Sequence, residues 1–107
     1  MEIRSSKEGS SVKFTVSGEI DEKGAEELKT RFSGDYSPSH GTVYFDFGGV
    51  THIGSAGLGK LLLFYKRVAS DGGNIRIENI PSDIFALMQQ LKLETVFTLS
   101  RQQTAQR

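Results

Sequence analysis

The chain has 107 residues, enough for one small domain and too few for two, and a domain of that size buries roughly two thirds of its unfolded surface in one core. Its 13 basic and 13 acidic side chains cancel, and no block of like charge stands out, which argues against a nucleic-acid binder and against a polybasic membrane segment. Cysteine is absent, Met1 to Ser11 lacks the apolar core of a signal peptide, and no apolar run approaches a membrane span, so disulfides and cysteine metal sites are excluded and a soluble, cytoplasmic protein is expected.

Met1-Glu2-Ile3-Arg4 and Val12 to Val16 both alternate apolar and polar, as half-buried strands do, and are placed to pair across a Lys7–Ser10 turn. Gly18-Glu19-Ile20-Asp21 breaks the pattern. Asp21 is a candidate cap for a helix over Glu22–Phe32, with Ala25, Leu28 and Phe32 on one face. Ser33 to Gly41 reads as a loop. Val43 to Phe47 reads as a central strand, and Gly48 to Ile53 as a short connection.

Ser55 to Ser70 carries the strongest helical pattern. Leu58, Leu61, Leu62, Tyr65, Val68 and Ala69 make its apolar stripe, with Leu63 and Phe64 at the edges as candidates for partial exposure. Asp71-Gly72-Gly73 ends it. Asn74 to Glu78 alternates again as a strand. Ser82 is the expected cap of a last helix to about Leu91, using Ile84, Phe85, Met88 and Leu91. Val96 to Leu99 adds a short strand, and 101–107 is a polar tail expected to fray. The order implies a mixed, partly parallel sheet of four to five strands with the helices mainly on one face.

Chemistry concentrates in the turn at 54–60. Gly54 and Gly59-Lys60 have the G-x-x-x-x-G-K spacing of a phosphate-binding loop, but Leu61 stands where magnesium needs a hydroxyl. A small nucleotide-binding protein using Gly54–Lys60 is therefore the least favoured alternative. Ser55 as a nucleophile would need a nearby histidine, and neither His52 nor His40 has a diagnostic spacing. The G-x-S-x-G elbow is absent as well, because the row reads Ile53-Gly54-Ser55-Ala56-Gly57, so no catalytic residue is assigned and a non-enzymatic protein is expected. At a helix N-terminus Ser55 is either an N-cap or a phosphate acceptor. Gly57 and Gly59 would permit close helix-to-sheet packing. Asp46, at the end of a strand, reads as a turn-former.

Gly18-Glu19-Ile20-Asp21 followed by Ala25-Glu26-Glu27-Leu28 resembles the first signature of the STAS domain family of bacterial anti-sigma factor antagonists. Val43 to Leu62 resembles the second, an acidic residue, Ser, a small residue, Gly, Leu. Gly72-Gly73-Asn74-Ile75-Arg76-Ile77 and Phe85-Ala86-Leu87-Met88, then Leu91, Leu93, Val96 and Phe97, follow in order. The resemblance spans nearly the whole chain and implies a single α/β STAS-like domain over 1–100.

It further implies an anti-sigma factor antagonist in a partner-switching pathway. Ser55 would be the phosphoacceptor of a GHKL-type serine kinase that is also the anti-sigma factor, and a PP2C-type phosphatase would reset it. The implied partner-binding residues are Asp21, Gly54, Ser55, Ala56, Gly57, Gly59, Lys60 and Leu63. Asp21 matches the family's acidic residue on the first strand-to-helix loop and would lie near Ser55. No cofactor is implied, since ATP and magnesium would belong to the kinase, and nothing calls for more than a monomer. The chain departs from the pattern at Gly54, where the acidic residue before the serine is usual, which bears on kinase recognition. That departure favours the alternative of a constitutive STAS interaction module, as in a lipid-transport or secretion-control assembly.

Overall fold

The computed structural model describes residues 1–103. β1 (Glu2–Glu8) and β2 (Ser11–Ile20) form an antiparallel hairpin in which Glu8 pairs with Ser11. Both strands run further than the alternation suggests. The turn narrows to Gly9 and Ser10, and β2 continues through the Gly18-Glu19-Ile20 segment. Gly18, at φ +95°, takes up a register shift there that a residue with a Cβ would resist.

α1 (Glu22–Asp35) is three residues longer than expected, and Tyr36 stacks on Phe32 just beyond it, with ring centroids 4.9 Å apart. β3 (Thr42–Ile53) does not stop at Phe47. Gly48 to Ile53 is the second half of the strand, paired with β2 as far as Ile20 with Ile53. Val50 and Ile53 are buried along it. The two glycines, weak strand formers, conceal this half in the sequence.

α2 (Ser55–Ser70), β4 (Asn74–Ile80), α3 (Ser82–Gln90), a single 3₁₀ turn (Leu93–Thr95) and β5 (Thr98–Arg101) complete the described elements. α3 begins after Pro81, so Ser82 is its first helical residue and caps nothing. Leu91 is 49% exposed rather than core. The last strand starts two residues later than expected and takes in Arg101, and the Gln102 amide donates to the Ile80 carbonyl. Residues 104–107 of the expected tail lie outside the described residues.

The five strands lie in sequence order, β1-β2-β3-β4-β5, with only the first pair antiparallel. Three successive crossovers step the same way across the sheet. Right-handed connections therefore place α1, α2 and α3 on the same face. The other face is lined by Lys13, Thr15, Tyr44, Asp46, Arg76 and Glu78, none of them buried.

The core lies between sheet and helices. Phe14 and Phe45 from the strands stack with Phe32 and Phe64 from α1 and α2, the last two with centroids 4.1 Å apart. α2 buries Gly57, Leu61, Phe64 and Val68. This corrects the expected stripe: Phe64 is core at 4% exposure, whereas Leu62, at 40%, and Ala69 face out. Apolar residues from Leu61 to Tyr65 point in every direction around the helix, so hydrophobicity alone does not choose its buried side. Close approach at Gly57 does. No helix among the described residues is long and apolar enough to cross a membrane.

Candidate functional site at the paired helix N-termini

β2 and β3 end side by side, at Ile20 and Ile53, and the Gly54 amide donates to the Ile20 carbonyl at 3.1 Å. α1 and α2 begin immediately afterwards, so Asp21 and Gly54 are adjacent helix N-caps. The Asp21 Oδ1 accepts from the Gly24 amide at 2.8 Å, and the Asp21 carbonyl accepts from the Ala25 amide. Asp21 is thus a true cap, and it remains exposed.

Ser55 is not one. The Leu58 amide donates to the Gly54 carbonyl, which makes Gly54 the N-cap and Ser55 the first helical residue. No side chain caps α2. The Ser55 hydroxyl is exposed and makes no hydrogen bond among the described residues. It sits beside amide groups that have no partner in the helix and at the positive end of the helix dipole.

The other expected partner-binding residues divide. Gly57 is buried, and a Cβ there would stand 2.6 Å from Ile20 Cγ2 and 2.9 Å from Ile53 Cγ1. Its role is to let α2 press onto the strand ends, so it supports the surface from beneath and is not part of it. Gly59 is exposed, and a Cβ there would meet nothing within 4 Å, so the close-packing reading fails at this position. Ala56, Gly59, Lys60 and Leu63 line one groove of about 480 Å³ between α2 and α1. Leu63 is 53% exposed. The opposite wall is Glu22 and Glu26, which sequence reasoning missed. They lie one turn apart on an ordinary exposed helix face, and only the packing of α1 beside α2 brings them to the site.

Lys60 Nζ pairs with Glu26 Oε2 at 3.1 Å across the groove. That contact and the helical backbone from Ser55 onward overturn the nucleotide-loop alternative. A phosphate cradle needs an unwound loop and a free lysine, and the segment from Gly54 to Lys60 supplies neither. No serine–histidine pair forms either. His40 is buried near the opposite end of the sheet, where its Nδ1 accepts from the Ser37 amide at 3.1 Å, and the amide of its neighbour Gly41 donates to the carbonyl of Ser10, in the turn just before β2. His52 is exposed, in register with Glu19.

Around the site the exposed charges are mainly acidic, with Glu19, Asp21, Glu22, Glu26 and Glu27 against Lys23, while Lys60 is half-buried and paired with Glu26. The shifted titrations lie at the far ends of the helices. Burial, together with a hydrogen bond donated to Asp71 Oδ2 at 2.7 Å, pushes the Tyr36 phenol up to about 12. A hydrogen bond from Ser5, with Arg31 nearby, holds the Asp35 carboxyl below its ordinary value.

Several solved structures share this architecture. An anti-sigma factor antagonist from Mycobacterium paratuberculosis matches with a TM-score of 0.81 and 21% identity over 92% of this chain and 84% of that one. The Bacillus cell-fate determinant SpoIIAA in its phosphorylated form matches with a TM-score of 0.73, 16% identity, and 92% and 90% coverage. The anti-sigma factor antagonist SpoIIAA in its unphosphorylated form matches with 0.71, 15% identity, and 96% and 90% coverage. At these identities the likeness is one of fold. No curated protein sequence matches the chain significantly. The family model described as the STAS domain matches residues 2–104, nearly the full length. The chain belongs to the STAS domain family.

Proposed function

We propose that this protein is an anti-sigma factor antagonist whose binding is controlled by phosphorylation of Ser55. The observation that carries the reading is the state of that serine: exposed at the first position of α2, without a hydrogen bond among the described residues, and outside the helix cap. A hydroxyl with no structural duty is available to a kinase. A phosphate there is tolerated by the fold, because the helix dipole and open amides favour negative charge.

The partner would be a GHKL-type serine kinase that is also the anti-sigma factor. It would dock on Asp21, Gly54, Ser55, Ala56 and the groove formed with Gly59, Lys60 and Leu63. A phosphoserine carries nearly two negative charges, and burying them unpaired in that contact would cost several kcal/mol. The same fold then has two affinities. A PP2C-type phosphatase would restore the binding form, and the pathway would operate in the cytoplasm. The neighbours known as anti-sigma factor antagonists support this reading through a shared fold.

The test is capture of partners from the native host by the wild-type chain, Ser55→Ala and Ser55→Asp. The wild type and Ser55→Ala should retain an ATP-binding kinase that Ser55→Asp loses. Ser55→Asp should leave the unfolding free energy unchanged or raise it by up to about 1 kcal/mol, since it adds a carboxylate at a helix N-terminus. Equal capture by all three baits would instead mark an unswitched STAS interaction module, which is the reading favoured by Gly54.

A further inference from the structure

The fold does not require glycine at position 54. Its backbone is extended, at φ −99° and ψ −177°, a conformation open to any residue. A Cβ there would find only two atoms within 4 Å, His52 Nε2 and the Ile20 carbonyl oxygen, each at an ordinary 3.9 Å. The space that the family's acidic side chain would fill is open, and an imidazole borders it. His52 and Gly54 are two residues apart along an extended backbone, so their side-chain directions fall on the same side. The His52 ring is exposed and makes no hydrogen bond among the described residues.

We propose that His52 positions a phosphoryl group carried by Ser55, supplying a cationic donor from the end of β3 where a carboxylate at position 54 would repel the phosphate. The inference rests on the reading of Ser55 as phosphoacceptor and adds a residue that this reading does not contain. The charged groups around the imidazole are few. Glu19 is its register partner on β2 and competes for the imidazolium. Asp21, at the head of α1, has one carboxylate oxygen committed to the Gly24 amide. The first turn of α2 carries no charged side chain, and Lys60 is turned to Glu26.

A phosphoserine releases its second proton at about pH 6. A cationic donor in contact with it favours the dianion, so the phosphate midpoint falls.

Phosphoserine can be placed at position 55 during translation, with no kinase involved, and followed by ³¹P NMR through a pH titration. The wild-type midpoint should lie about half a pH unit below that of His52→Gln, the size expected for opposite charges in contact at a surface. His52→Lys should restore the low value. Equal phosphate midpoints in wild type and His52→Gln, with both chains folded, would overturn the proposal. Because translation supplies the phosphate, that result would count against His52 alone and leave open whether a kinase uses Ser55.

Discussion

Two glycines within one turn of α2 have opposite reasons to be there. Gly57 is held by contact, since any Cβ would strike Ile20 and Ile53. Gly57→Ala should destabilise the protein by about 1–3 kcal/mol, as overpacking of a close interface does. Gly59 has open space and a helical backbone, so Gly59→Ala should raise stability by about 0.5–1 kcal/mol. Urea unfolding of the two variants beside the wild type checks both signs at once. Destabilisation by Gly59→Ala would show that the helix is strained where it looks relaxed. At this scale the sequence was only half legible. A capping role was readable at Asp21 and false at Ser55, because a helix start is fixed by one backbone hydrogen bond, from Leu58 to Gly54, and adjacent residues compete for it almost equally.

At the scale of elements, the long helix and the strand that feeds it set the site. The boundaries of α2 follow from its composition, but its orientation does not. A run of consecutive apolar residues contains several possible stripes, and the buried one passes through Gly57, Leu61, Phe64 and Val68. Phe64→Ala should therefore cost about 3–5 kcal/mol, while Leu62→Ala, on the exposed side, should cost under about 1 kcal/mol. Similar losses for the two would contradict this placement of the helix.

The far ends of α1 and α2 are tied by Tyr36 and Asp71, with Arg67 over the Tyr36 ring at 5.1 Å. A phenol with a folded pKa of about 12, against 10.0 when free, contributes stability that is complete below pH 10 and lost as the pH rises towards 12. Tyr36→Phe should flatten that alkaline decline, measured by denaturant unfolding across this range. An unchanged slope would mean that the phenol is not the titrating group.

For the whole molecule, topology separates framework from function. Constant right-handed steps put three helices on one face and bring the beginnings of α1 and α2 together at one end of the sheet. The aromatic stack and the Tyr36–Asp71 tie lie below that end. A charge added at Ser55 therefore meets solvent and helix amides rather than core, so it can alter a surface without altering the fold. This architecture was largely legible beforehand, because strand and helix patterns alternate and crossover handedness does the rest. The groove was not, since Glu22 and Glu26 join Leu63 only through packing between elements distant in the sequence.

The most direct measurement is phosphate occupancy at Ser55 in chain recovered from its native host, compared by mass spectrometry between the partner-bound and unbound pools. Phosphate confined to the unbound pool is the expected result. Equal occupancy in both pools, or none in either, would contradict a phosphorylation switch at this serine.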